Sequence, residues 1–250
     1  KRPTATQSSV NIIPLSGIMQ VDISGLTLLD MEQLCKDYEK LAEVEYCSLS
    51  PTFPPPSLNT PSVTGDYFSG QSYFHDSNPN SINAEFAWNL GLKGDGITIR
   101  DSEWAININH EDFVGADIAN GIAQTKDDYS DHGTAVAGIL IAQHNSFGMK
   151  GAVPDAKYRF YSENSGRVAA VAKMVEESSV GDILLLEMQT LGCRGLLSIP
   201  DYDVAIWDLI NTATQAGIVV VMTAGNGASN LDALCYTNYK ARGDNGAIIV

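Results

Sequence analysis

From residue 97 onward the chain alternates short apolar runs with stretches of helical period. Ile97-Thr-Ile99 reads as a strand, 132–143 as a helix, 157–161 as a strand, 167–178 as a helix and 182–186 (Asp-Ile-Leu-Leu-Leu) as a buried strand. The pattern over 203–216 is again helical, with Ile206, Leu209, Ile210 and Ala213 on one face, and it stops at Gly217, a residue suited to a left-handed cap. Gly217-Ile-Val-Val-Val-Met222 is a further strand, and Gly246–Val250 reads as another buried one. Apolar strands separated by amphipathic helices predict an α/β fold, a mostly parallel sheet with helices on both faces. In such sheets ligands sit beyond the carboxyl ends of the strands.

The first fifty residues have a different texture. Leu28, Met31, Leu34, Cys35, Tyr38 and Leu41 recur at helical spacing. Val44 and Tyr46 then alternate with Glu43 and Glu45, which predicts a strand over 43–48 with one buried face. The expectation is a small α+β unit ahead of the main domain. Residues 49–65 hold five of the ten prolines, a composition that favours extended backbone and excludes a central strand. The chain therefore divides into an α+β unit at 1–56, a proline-rich linker or processing region at 57–80 and a main domain at 81–250. Lys1-Arg2-Pro3 at one end and an apolar run at the other suggest a fragment.

Hydrophobic residues make up 44% and charged residues 18%, as a packed core requires. A net charge of −15 repels phosphate backbones and anionic lipid, so nucleic-acid and membrane-surface partners are not expected. No run of 18 apolar residues is present. Cys35, Cys47, Cys193 and Cys235 offer no zinc-type C-x-x-C pair. They are either free thiols or, after export, Cys193–Cys235 and Cys35–Cys47 bridges. The second is the less expected, because nothing in the sequence requires that pair to meet.

Chemistry is concentrated at three strand-to-helix junctions. Asp101 follows Ile97–Arg100, His132 opens a helix in Asp131-His-Gly-Thr-Ala-Val-Ala-Gly138, and Asn226 follows a strand in Met222-Thr-Ala-Gly-Asn-Gly227. An acid, an imidazole and an amide thus face one rim. Taken singly, an Asp after a strand is commonly an N-cap and a His at a helix start is commonly structural. Gly133, Val136, Ala137 and Gly138 are narrower signals, since small residues let a helix pack closely on a sheet.

These motifs resemble those of the subtilisin-like serine proteases, the subtilases, over residues 82–250. His132–Gly138 matches their histidine motif, Ile97–Asp101 with His110-Glu-Asp-Phe113 their aspartate motif, and Val219–Asn226 their oxyanion-asparagine segment. His132 follows Asp101 by 31 residues and Asn226 follows His132 by 94, both of the family's order. The resemblance implies peptide-bond hydrolysis by acyl transfer. Asp101 would orient and stabilise the imidazole, His132 would act as base and then acid, and Asn226 would donate to the oxyanion. The serine motif Gly-Thr-Ser does not occur, and family spacing puts it beyond residue 250. The alternative is a catalytically dead, subtilase-like binding or regulatory protein.

Further expectations follow from the resemblance. Glu187, Met188 and Gln189, with Gly225, correspond to the substrate-binding region. Glu187 either biases the pocket toward basic or polar P1 side chains or pairs with Arg194 or another cation. Glu103 stands where the family has a small residue, and reads as solvated or as added negative charge near His132. No cofactor is required. Asp112 and Asn145, the latter in Asn145-Ser-Phe-Gly148, resemble ligands of a structural calcium site, with an ordinary Asx-rich loop as the alternative. The 1–56 unit resembles the end of a propeptide that serves as folding template and intramolecular inhibitor. The implied partners are polypeptide substrates and that propeptide, and the implied location is extracellular.

Overall fold

The computed structural model describes residues 17–19, 21, 23, 25–49, 65–164 and 166–250. Most of the proline-rich stretch, and with it much of the expected linker, lies outside the described residues. The main domain is built on a six-stranded, wholly parallel sheet. Its strands are β1 (Thr98–Glu103), β2 (Ile118–Ile122), β3 (Lys157–Ser162), β4 (Ile183–Leu186), β7 (Val219–Met222) and β8 (Ile248–Ile249). Their order across the sheet is β2-β3-β1-β4-β7-β8. A two-stranded antiparallel ribbon, β5 (Thr190–Leu191) with β6 (Leu197–Ser198), lies past the end of β4.

Helices cover both faces, as the apolar strands require. On one side α4 (Arg167–Glu176) and α5 (Val204–Gln215) pack against β4 and β7 through Val171, Met174, Leu184, Leu186, Ile206 and Leu209. On the other, α3 (Ser130–Ile141) places Ala137 and Ile141 on Ile99, Tyr158 and Phe160. Both layers exclude water from near-continuous apolar side chains, the main source of stability in such a domain. Short helices α2 (Ala84–Asn89) and α6 (Thr237–Lys240) complete the set together with α1 (Leu28–Tyr38).

The expected α/β architecture is present, with three differences. Strand β1 runs on to Glu103, because β3 pairs with it as far as Glu103↔Ser162. The carboxyl end of this strand is therefore Glu103, two residues beyond Asp101, which was expected to follow the strand. Strand β8, flanked among the described residues by β7 alone, leaves Ile248 and Ile249 half exposed where a buried strand was expected. Finally, 43–48 is not a strand: among the described residues no strand pairs with it, and its side chains reach α5 instead.

In the N-terminal unit, α1 starts on a Thr27/Asp30 capping box. Its predicted apolar face is only half covered at Met31, Leu34, Cys35 and Tyr38. After the helix, Tyr46 Oη donates to Asp208 at 2.9 Å and Ser48 Oγ to Asp203 at 3.4 Å, tying the unit to α5. Both disulfides are formed, Cys35–Cys47 and Cys193–Cys235. The first, the less expected, is possible because the chain turns back after α1.

Candidate active site

Residues Asp101 and Glu103 lie on the same face of β1, since side chains of a strand alternate with period two. Both are buried. The difference between them is what they face. Tyr158 Oη, from the neighbouring strand β3, donates to Asp101 Oδ2. Glu103 instead meets the imidazole of His132: Nδ1 lies 3.0 Å from Oε2 with hydrogen-bond geometry and 2.9 Å from Oε1. The structure thus sets Glu103 in hydrogen-bond contact with His132, where Asp101 was expected, and leaves Asp101 one pleat deeper in the sheet with Tyr158.

Close packing around Gly133 sets this contact. A Cβ on Gly133 would stand 2.4 Å from the Ala105 carbonyl oxygen and 3.2 Å from Glu103 Cβ. Only glycine lets α3 settle this near the segment leaving β1, which brings the preceding residue, His132, onto Glu103. Thr134 adds a tie: its Oγ1 accepts from the Asn107 backbone N–H at 2.9 Å and donates to the Ser130 carbonyl at 2.5 Å.

Two further carboxylates border the imidazole. Glu163, just past β3, is buried and paired with Arg167, whose Nε lies 2.5 Å from Oε2. Arg167 also donates to the Gln189 carbonyl at 2.8 Å, linking the ends of β3 and β4. Glu187 stands just past β4 and is exposed at the rim. Arg194 is exposed too, and no ion pair joins it to Glu187 among the described residues.

Burial dominates the electrostatics. It raises the carboxyl of Asp101 well above the usual range, and the nearby Glu103 charge adds to this against the opposing Tyr158 hydrogen bond. Burial likewise pushes Glu103 well up, with Glu163 and Glu187 contributing like-charge repulsion. Glu163 is raised by burial despite its Arg167 partner, and Glu187, although the residue is exposed, is raised by partial desolvation of its carboxyl group against the pull of His132.

Asn226 lies on the loop after β7. Gly225, at φ +84°, lies against Ser198, and a Cβ there would come within 2.7 Å of Ser198 backbone atoms. A Cβ on Gly227 would meet the Leu197 carbonyl oxygen at 2.1 Å. These glycines lay the loop flat along β6. The Asn226 backbone N–H donates to Gln189 Oε1 at 3.0 Å, and the Asn226 residue itself remains exposed. Of the residues expected to line a substrate pocket, Met188 is buried in the core beside Leu186 and presents nothing to a peptide. Glu187, Gln189 and Gly225 stay at the rim.

At the expected cation site, Asp112 is buried, its Oδ2 accepts the Met149 N–H at 3.0 Å, and its Oδ1 has no hydrogen-bond partner. Asn145 Oδ1 accepts the Phe147 N–H at 3.1 Å within its own turn.

Residues 90–245 match the profile of the Subtilase family. The chain belongs to the Subtilase family. Curated relatives of this subtilase include subtilisin BL of Lederbergia lenta, 28% identical over 158 residues that cover 60% of the chain and 55% of the relative. The minor extracellular protease Epr of Bacillus subtilis (strain 168) is 26% identical over 202 residues, covering 78% of the chain and 30% of Epr. The alkaline protease of Alkalihalobacillus alcalophilus is 28% identical over 152 residues, 58% of the chain and 38% of that protein. The subtilase chain thus spans between 30% and 55% of the length of these relatives. Among solved structures, the epidermin leader peptide processing serine protease EpiP from Staphylococcus aureus superimposes with a TM-score of 0.51 at 14% identity, covering 77% of this chain and 53% of EpiP. That likeness concerns the fold. Among the described residues, no helix of the subtilase is long and apolar enough to cross a membrane.

Sequence reasoning allowed Glu103 near His132 only as added negative charge, and it missed the Tyr158–Asp101 contact and the buried Glu163–Arg167 pair. The last had a signal, since an acid and a base four residues apart at a predicted helix start are placed to pair. Nothing local marks the Tyr158–Asp101 contact.

Proposed function

We propose that this chain contributes the acid, base and oxyanion donor of a secreted serine endopeptidase, whose nucleophile is a serine beyond residue 250. The observation that carries this reading is the Glu103–His132 contact at the carboxyl rim of the sheet, the same rim from which the Asn226 loop leaves β7, with β4 between the two strands. Glu103, when ionised, accepts from Nδ1–H and leaves the Nε2 lone pair to take the serine proton. His132 then returns that proton to the leaving amine, while the Asn226 amide donates to the oxyanion as charge develops. Glu103 takes the orienting role first expected of Asp101, and Asp101 with Tyr158 supports the strand beneath it. Without the serine, the 250-residue chain alone is inactive.

Glu187, Gln189 and Gly225 would line the substrate cleft, with Glu187 favouring basic P1 side chains. Two disulfides agree with an oxidising, extracellular setting. The N-terminal unit would be the remnant of an inhibitory propeptide, held on α5 through Tyr46 and Ser48. The unpartnered Asp112 Oδ1 suits a calcium ion completed by loop carbonyls and by Asn145, whose Oδ1 keeps a second lone pair.

Labelling the full-length protein with a fluorophosphonate probe tests the central reading. Labelling that is lost in Glu103→Ala and His132→Ala supports it. A mature form that does not label would favour a binding or regulatory role.

A further inference from the structure

Glu103, His132 and Glu187 each present one ligand atom, and these atoms all lie within 4.8 Å of one another. They come from three separate elements: the end of β1, the first turn of α3 and the segment after β4. Two features separate this group from an ordinary cluster of surface acids. One member is an imidazole. Another, Glu103, is almost wholly buried, and its Oε1 has no hydrogen-bond partner although it sits beside the imidazole. The neighbouring cation, Arg167, is engaged with Glu163 and the Gln189 carbonyl.

We infer that Glu103, His132 and Glu187 form a binding site for a divalent transition-metal ion of the zinc type. The donor set decides the ion: one nitrogen and two carboxylate oxygens suit Zn2+, whereas Ca2+ and Mg2+ prefer all-oxygen shells. Three ligands at bond lengths of about 2.0–2.2 Å around a tetrahedral ion stand roughly 3.3 Å apart. The present atoms, all within 4.8 Å of one another, have to settle at that spacing, and the exposed rim position of Glu187 leaves its side chain free to adjust. The fourth position would face the cleft. An ion bound here occupies the base that peptide hydrolysis needs, so zinc would act as a reversible inhibitor. Only that inhibitory consequence rests on the peptidase reading; the metal site does not.

Titrating zinc chloride calorimetrically into the 250-residue chain reads the site without any need for activity. One equivalent is expected to bind, without displacement by magnesium. Glu187→Ala and His132→Ala should each weaken binding by more than about tenfold. Melting curves of the zinc-free variants establish that they fold, and Glu187→Gln replaces the alanine variant if it does not. No saturable zinc binding, or an affinity unchanged in both the Glu187 and His132 variants, overturns the inference. In the serine-containing protein, hydrolysis that persists when zinc binding is absent removes the metal site alone. Zinc binding that leaves hydrolysis untouched keeps the metal site and removes His132 from catalysis.

Discussion

The imidazole Nδ1 of His132 sits 3.0 Å from Glu103 Oε2, while Asp101, two residues earlier on the same strand face, takes its hydrogen bond from Tyr158. The two carboxylates share a strand and a burial class but not a task. One pleat of β1 separates the acid that touches the imidazole from the acid that anchors the sheet beneath it.

Substitution separates the two roles. In the serine-containing protein, Glu103→Ala should lower kcat by about 10⁴-fold, by analogy with loss of the orienting acid in other triads. Asp101→Asn should change kcat much less, because an amide still accepts from Tyr158. Steady-state kinetics of the two variants on one peptide substrate decide it; equal losses would return Asp101 to the triad.

Stability should depend on pH in an unusual direction. Asp101, Glu103, Glu163 and Glu187 all have raised folded-state pKa values, so the folded state holds their protons more tightly than the unfolded chain. Their contribution is full below the unfolded carboxylate range and is lost as pH rises through the folded values. The exposed carboxylates Asp30, Asp37 and Asp117 and the partly exposed Glu85 are shifted the opposite way, but solvent screens them. Denaturant midpoints should be higher near pH 5 than near pH 8, and Asp101→Asn should flatten that slope.

The glycine of the histidine motif can be tested through packing alone. Gly133→Ala forces a methyl against the Ala105 carbonyl, 2.4 Å away where the backbone now stands. Overpacking of this kind costs about 1–3 kcal/mol. A matching fall in melting temperature is expected, together with a drop in kcat as His132 moves off Glu103.

Reduction should affect the two disulfides unequally. Cys193–Cys235 closes a separation of 42 residues that takes in β6, α5 and β7, whereas Cys35–Cys47 closes 12 within the N-terminal unit. Loss of the first, as Cys193→Ser with Cys235→Ser, should cost about 2–4 kcal/mol on the chain-entropy account. Loss of the second should leave the melting of the main domain nearly unchanged. Thermal unfolding followed by near-ultraviolet circular dichroism distinguishes the two.

Calcium at Asp112 is open to a simple check. A chelator should lower the melting temperature of the wild type by a few degrees and leave Asp112→Asn unaffected. Identical melting with and without chelator would remove the ion.

The sequence by itself determined the alternation of apolar strands and amphipathic helices, because those periods are local consequences of backbone geometry and burial. It also marked His132 and Gly133, since a glycine beside a histidine at a helix start is a packing device readable without neighbours, and it placed Asn226 at a strand end. Tertiary structure decided which acid meets the imidazole. How far β1 extends depends on its pairing with β3, so the rim falls at Glu103 and not at Asp101. It also decided that Met188 faces the core while Glu187 is exposed at the rim, and that four carboxylates gather around one histidine. Contacts between side chains from β1, α3, β3 and β4 carry no period along the chain, so they become visible only once the sheet has brought those strand ends together.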